Sequence, residues 1–182
     1  MKEITITQLR RAMPSATLAN CQRFLEPLNK AMRSYDINTP MRQAYFLSQV
    51  AWESGSLRYT SEIASGQKYE GRKDLGNVKP GWGVRYKGRG LIQVTGHDNY
   101  MRYGRFIGKD MEDTSQRNWL LLEKPEYAAD SAGWFWMTHG LNELADNDEH
   151  TKITRIINGS TVTAKDRLPC LRNAKIALGL IR

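Results

Sequence analysis

Two glutamates, Glu53 and Glu62, flank a glycine-containing bend in AWESGSLRYTSE, and roughly thirty residues further on comes a polar run, RYKGRGLIQVTGHDNY. Such a pair suits the cleavage of a glycosidic bond. That reaction needs one carboxylic acid to protonate the departing oxygen and a second carboxylate to activate water or stabilise the oxocarbenium-like state. Within the polar run, Leu91 to Thr95 reads as a short strand. Its period of two puts Gln93 and Thr95 on one face, with Ile92 and Val94 on the other. An amide and a hydroxyl on an open face suit sugar hydroxyls, N-acetyl groups or a positioned water. The competing account is a half-exposed strand followed by an ordinary cap. Gly96 then turns the chain, and Asn99 falls near the start of a helix.

The elements that must hold these residues are mostly helical. Thr39-Pro40 supplies a cap and a first-turn proline, and the segment from Met41 to about Ser54 carries Ala44, Phe46, Leu47, Val50 and Ala51 around most of its circumference. A helix this apolar is expected to be buried. Phe46, Gln49, Val50 and Glu53 share one stripe, so Glu53 points with apolar neighbours. Burial raises a carboxyl pKa, as a general acid requires. The simpler alternative leaves Glu53 exposed at a helix end. Glu62 can face Glu53 only if the helix ends near Gly55 and the chain turns back. Glu70 in KYEGRKD is a rival second carboxylate, its alternative being a surface ion pair with Arg72 or Lys68.

Thr17 to Tyr35 also reads as helical, with Pro27 dividing or kinking it. Pro125 opens a helix through Trp134 to Met137, closed by Gly140. Asp148 or Glu149 begins another, stopped by Asn158-Gly159. Pro169 interrupts the last helical segment. Between Ser56 and Gly90 the glycines are dense, and a loop of that length in a compact domain usually lines a functional surface. The expected fold is mainly α, of an α+β lysozyme-like kind: two helical lobes, a small β element near residues 84–95, and a cleft between them. One catalytic domain over residues 1–182 is expected, its N-terminal helices, to about residue 38, included.

Charge bounds the partners. The chain carries a net charge of +8, and a cationic surface concentrates polyanions near it. Because the basic residues are scattered, a merely solubilising surface is the competing explanation. No run approaches the ~18 to 20 apolar residues of a membrane span. The N-terminus shows no secretory signal, so synthesis in the cytoplasm is expected. Cys21 and Cys170 are expected to remain reduced thiols. His97, His139 and His150 form no metal-ligand motif, and neither metal nor organic cofactor is expected. Trp134 and Trp136 are assigned to the core, and Trp82 is the candidate sugar platform. The basic C-terminal segment, with Arg167, Arg172, Lys175 and Arg182 among leucines and isoleucines, has the composition of an interfacial helix or of one packed on the domain.

AWESG, LRYTSE, KYEGRKDLGN, RYKGRGLIQVTGHDNY, SAGWFWMTHGLNELAD and ITRIINGS, in that order from about Pro40 to Gly159, together closely resemble the chitinase-like glycoside hydrolase family 19, especially its bacteriophage endolysins. The resemblance implies an inverting hydrolase in which Glu53 is the general acid, Glu62 activates water and Thr95 holds that water. Gln93, Asn99 and Asn158 match polar substrate contacts, and Tyr86 joins them as a candidate. The implied partner is a peptidoglycan glycan strand cut at β-1,4 bonds, reached in the periplasm after release from the host cytoplasm. Anionic outer-membrane lipopolysaccharide is a second candidate partner; a monomer is expected and nucleic acid is not. Two alternatives stand beside this reading. One is a lytic transglycosylase using a single glutamate. The other is a non-catalytic cationic protein that binds envelope polymers or nucleic acid.

Overall fold

The computed structural model describes residues 2–182. It is mainly helical, and its first three helices begin where the sequence supplies a threonine cap. Helix α1 (Ile6–Ala12) opens on a reciprocal capping box in which the Thr5 hydroxyl accepts from Gln8 N and the Gln8 side chain accepts from Thr5 N. Helix α2 (Leu18–Ser34) is capped by Thr17 and runs unbroken through Pro27, so the chain does not divide into two helices there. Proline costs a helix interior about 3 kcal/mol. Here burial of Cys21, Phe24, Leu28 and Met32 offsets that cost. Asn29 clasps the N-terminal segment, accepting from Ile4 N and donating to Ile4 O, both at 3.0 Å.

Helix α3 (Pro40–Glu53) carries the Thr39 cap and first-turn proline, and Gln43 to Ala51 are all buried. It is the central strut, packed by α1 and by α9 (Leu168–Ala177). In α9, Pro169 sits in the first turn instead of breaking the helix. The α9 face with Leu171, Ala174 and Ala177 is buried, while Leu168 and Ile176 stay open. The C-terminal helix therefore spends its apolar face on the core. Helices α4 (Trp82–Arg85) and α5 (His97–Ile107) follow the long loop, then α6 (Pro125–Thr138), α7 (Leu141–Asp146) and α8 (His150–Asn158). Helix α2 lies against α6. Gly133 permits that approach, because a Cβ there would sit 2.2 Å from the Tyr35 ring. No described helix is long and apolar enough to cross a membrane.

The β element is smaller than the sequence suggests. Residues 90–93 form a turn in which Gln93 takes a φ of 60°, and among the described residues only isolated bridges, Ser61 to Arg89 and Arg89 to Val94, join the segments. Four backbone bonds of 2.8–3.0 Å tie residues 60–62, 88–90 and 94 together: Glu62 N to Gly88 O, Gly90 N to Thr60 O, Arg89 N to Val94 O and Val94 N to Arg89 O. The alternation survives without a strand. Ile92 and Val94 are buried, and Gln93 and Thr95 are partly open.

Candidate active site

The end of α3 aims Glu53. Ser54 Oγ donates to Val50 O at 2.6 Å and accepts from Leu57 N at 2.8 Å, so this hydroxyl ends the helix and starts the turn. Three successive residues, Gly55, Ser56 and Leu57, have φ of 56°, 58° and 66°. A left-handed leucine is strained; full burial of its side chain holds it in place. The chain reverses and brings Glu62 into the same groove as Glu53. That groove, about 720 Å³ in volume, is also lined by Tyr69, Gly88, Gln93, Thr95, Asn99 and Asn158.

Glu53 is 16% exposed, and its Oε1 lies 2.6 Å from the Arg167 guanidinium, itself 1% exposed. The contact is an ion pair without the alignment of a hydrogen bond. Burial raises the Glu53 pKa, and Arg167 pulls it partly back. Arg167 also donates to Gln49 Oε1 at 2.6 Å and to Thr163 Oγ1 at 3.2 Å, and lies over the Trp52 ring. The acid candidate is thus neither fully exposed nor isolated in apolar surroundings.

Glu62 is held from three sides. Lys68 Nζ is 2.8 Å from Oε1, the Tyr69 hydroxyl donates to the same oxygen at 3.3 Å, and Gly88 N donates to Oε2 at 3.3 Å. Across from it, Thr95 Oγ1 donates to Gln93 O at 2.8 Å, which leaves its lone pairs for the groove. The Gln93 amide nitrogen donates to Gly90 O at 3.1 Å, which fixes its oxygen as the free end. Asn99 likewise donates to Thr95 O at 2.9 Å. A Cβ on Gly88 would sit 2.8 Å from Gln93 Oε1, 3.2 Å from Thr95 Oγ1 and 3.4 Å from Glu62 Oε2. Three acceptor oxygens therefore ring the bare side of Gly88. A water there would donate both protons to them and keep a lone pair free to attack.

Other candidates fall elsewhere. Tyr86 is fully buried, packed edge-on against Trp82 and His97, with its hydroxyl donating to Met111 O at 3.4 Å; it supports the site from within the core and does not line the groove. Trp82 is also buried, stacked on His97 at 3.8 Å, and offers no sugar platform. Glu70 makes no ion pair with Lys68 or Arg72. Its carboxylate accepts from Gly81 N and, at 2.8 Å, from Gly83 N at the start of α4, outside the groove. Lys68 serves Glu62 instead, and Arg72 serves Asp74. Trp134 and Trp136 lie in the core. Sequence reasoning missed the parts that Arg167, Lys68, Tyr69 and Gly88 play at the groove, and that His139 also lines it. Only Gly88 carried a signal, since it belongs to the KGRG stretch within the polar run.

A groove with two inward glutamates and a ring of acceptor oxygens defines a glycosidase type of site. The family described as chitinase class I, glycoside hydrolase family 19, matches residues 47–172, and the chain belongs to that family. It is a glycoside hydrolase acting on O-glycosyl bonds. A Haemophilus influenzae glycosyl hydrolase family 19 domain-containing protein is 31% identical over 150 residues, covering 65% of this chain and 71% of that protein. An Arabidopsis thaliana endochitinase is 34% identical over 116 residues; the match covers 64% of this chain and only 38% of the plant protein. Among solved structures, a bacterial family 19 chitinase superposes with a TM-score of 0.75 at 21% identity, covering 97% of this chain and 95% of the other. Chitinase C from Streptomyces griseus gives 0.73 at 20% identity, covering 97% and 76%. At these identities the superpositions speak for the fold, a chitinase-like and lysozyme-like helical architecture.

Proposed function

We propose that the chain is a bacteriolytic endolysin that hydrolyses the β-1,4 bonds of peptidoglycan with inversion, acting in the periplasm after release from the cytoplasm of the host. The observation that carries this reading is the opening of Glu53 and Glu62 into one groove, with Thr95 and Gln93 beside Glu62. In the proposed reaction, protonated Glu53 gives its proton to the departing glycosidic oxygen. A water held by Glu62, Thr95 and Gln93 attacks the opposite face of the sugar and passes a proton to Glu62. Arg167 steadies the Glu53 carboxylate once its proton has gone. A glycosidase that needs only one glutamate has no use for the second carboxylate and its three donors, which favours hydrolysis over transglycosylation. The net charge of +8 favours an anionic glycan such as peptidoglycan over uncharged chitin. Digestion of purified sacculi tests the proposal. Mass spectrometry is expected to show reducing ends carrying added water, and proton NMR a first-formed α anomer. Anhydro sugars, a first-formed β anomer, or cleavage of chitin oligomers with intact sacculi would refute it.

A further inference from the structure

The groove does not end at Asn99. A second cavity of about 490 Å³ shares Asn99 and His139 with it and runs on along α5. Its cationic wall is Arg102 and Arg105, with Phe106 and Thr138 alongside, and no aspartate or glutamate lines it. Both arginines are exposed. Among the described residues neither has a carboxylate partner; Arg105 Nε donates only to Met101 O at 3.3 Å, which leaves its terminal nitrogens free. Helical spacing explains the alignment. Asn99, Arg102 and Phe106 recur at three and four residues and so share a stripe, with Arg105 one turn on from Arg102. At about 1.5 Å per residue, the Cα atoms of Arg102 and Arg105 stand roughly 4.5 and 9 Å along the axis from that of Asn99.

We infer that this annex binds the free carboxylates of the peptide branches that peptidoglycan carries on alternate sugars. The inference rests on the peptidoglycan reading and adds what distinguishes that substrate from a bare amino-sugar polymer. A branch leaving a sugar in the groove reaches its second residue after about two extended residue lengths, roughly 7 Å, which is the range the two arginines span. Planar guanidinium groups suit carboxylates because they donate two parallel hydrogen bonds. The exposed Phe106 side chain offers an apolar surface for the branch's methyl groups.

The test compares wild type with Arg102→Gln, Arg105→Gln and the double variant. Substrates are peptide-bearing glycan strands, the same strands stripped of peptide by an amidase, and N-acetylglucosamine oligomers. Circular dichroism melts verify folding. Each single substitution is expected to lower kcat/KM on peptide-bearing strands about tenfold, chiefly through KM, and Arg102→Lys to recover part of the loss. Rates on stripped strands are expected to be equal for all five proteins. The inference is overturned if the double variant matches wild type on peptide-bearing strands, or loses as much on stripped ones. Wild type that cuts the oligomers and neither form of peptidoglycan overturns the peptidoglycan reading, and this inference with it.

Discussion

Replacing Arg167 by methionine removes the one cation that, among the described residues, touches Glu53, and keeps most of the buried volume. In the native protein burial raises the Glu53 pKa and the guanidinium at 2.6 Å opposes that rise. Without it only the raising influence remains. An opposite charge at this range holds a carboxyl down by about 1–3 pH units. Glu53 must be protonated to act as the acid, so activity falls as pH rises through its pKa. The alkaline limb of kcat/KM is therefore expected to move to higher pH. Stability also falls. Breaking a buried ion pair costs about 3–5 kcal/mol, and the lower end applies because Glu53 can bind a proton. That corresponds to a drop in Tm of roughly 6–12 °C for a chain of this size. The sign with pH is fixed by the direction of the shift: a raised folded-state pKa contributes stability below the ordinary value and loses it as pH rises through the folded value. The deficit of Arg167→Met is accordingly smaller in acid than at neutrality. Arg167→Lys retains the charge and is expected to keep the limb near its native position. The assay is the pH profile of reducing-end release together with calorimetric melts at pH 4.5 and 7. An alkaline limb that stays put, or moves down, in a folded Arg167→Met would refute the assigned coupling.

Gly88→Ala would place a methyl against Gln93 Oε1, Thr95 Oγ1 and Glu62 Oε2; kcat is expected to fall at least tenfold with Tm lowered by only a few degrees, measured by steady-state kinetics and melting. Glu62→Gln is expected to lower kcat by about 10²–10⁴, the range of a lost general base, whereas Glu70→Gln, which loosens the α4 loop, is expected to change Tm more than kcat; the reverse pattern in the same assays would transfer the base role to Glu70. Asp148 accepts from Tyr45 at 2.6 Å and Lys175 at 2.7 Å, and Lys175 and Tyr45 lower its pKa. Asp148→Asn is expected to cost about 1 kcal/mol at neutrality, since the Asp148 carboxylate is itself largely exposed although Lys175 is not; a lowered pKa contributes stability above the ordinary value, so the difference should vanish as pH falls through the native pKa, as denaturant melts between pH 2 and 7 would show.

Helices whose ends carry a local signal were legible in the sequence. Thr39-Pro40 and Asn158-Gly159 mark boundaries through side-chain capping and left-handed glycine, which depend on neighbours in the chain. The placement of Glu53 and Glu62 required one further inference, that the chain reverses after Ser54. What escaped depends on distant partners. Arg167 lies more than a hundred residues from Glu53, and nothing local separates a buried arginine from a surface one. Lys68 and Arg72 divided their carboxylates differently from the spacing, because Glu70 is turned toward the backbone of residues 81 and 83. Trp82 looked like a platform and Tyr86 like a substrate contact on residue type alone, yet aromatic rings in a glycine-rich loop need a core of their own, and these two form it with His97 and Tyr100. The supposed strand failed because Gly90 and the positive φ of Gln93 close a turn, although inward and outward alternation was preserved.

The central claim, that Glu53 delivers the proton, is met most directly by single-turnover cleavage of peptidoglycan strands by Glu53→Gln. Its fold is confirmed by circular dichroism and its substrate affinity by equilibrium binding. The account predicts a folded protein that still binds glycan and cleaves it at least about 10³-fold more slowly than wild type. Cleavage within tenfold of the native rate would show that another group protonates the leaving oxygen.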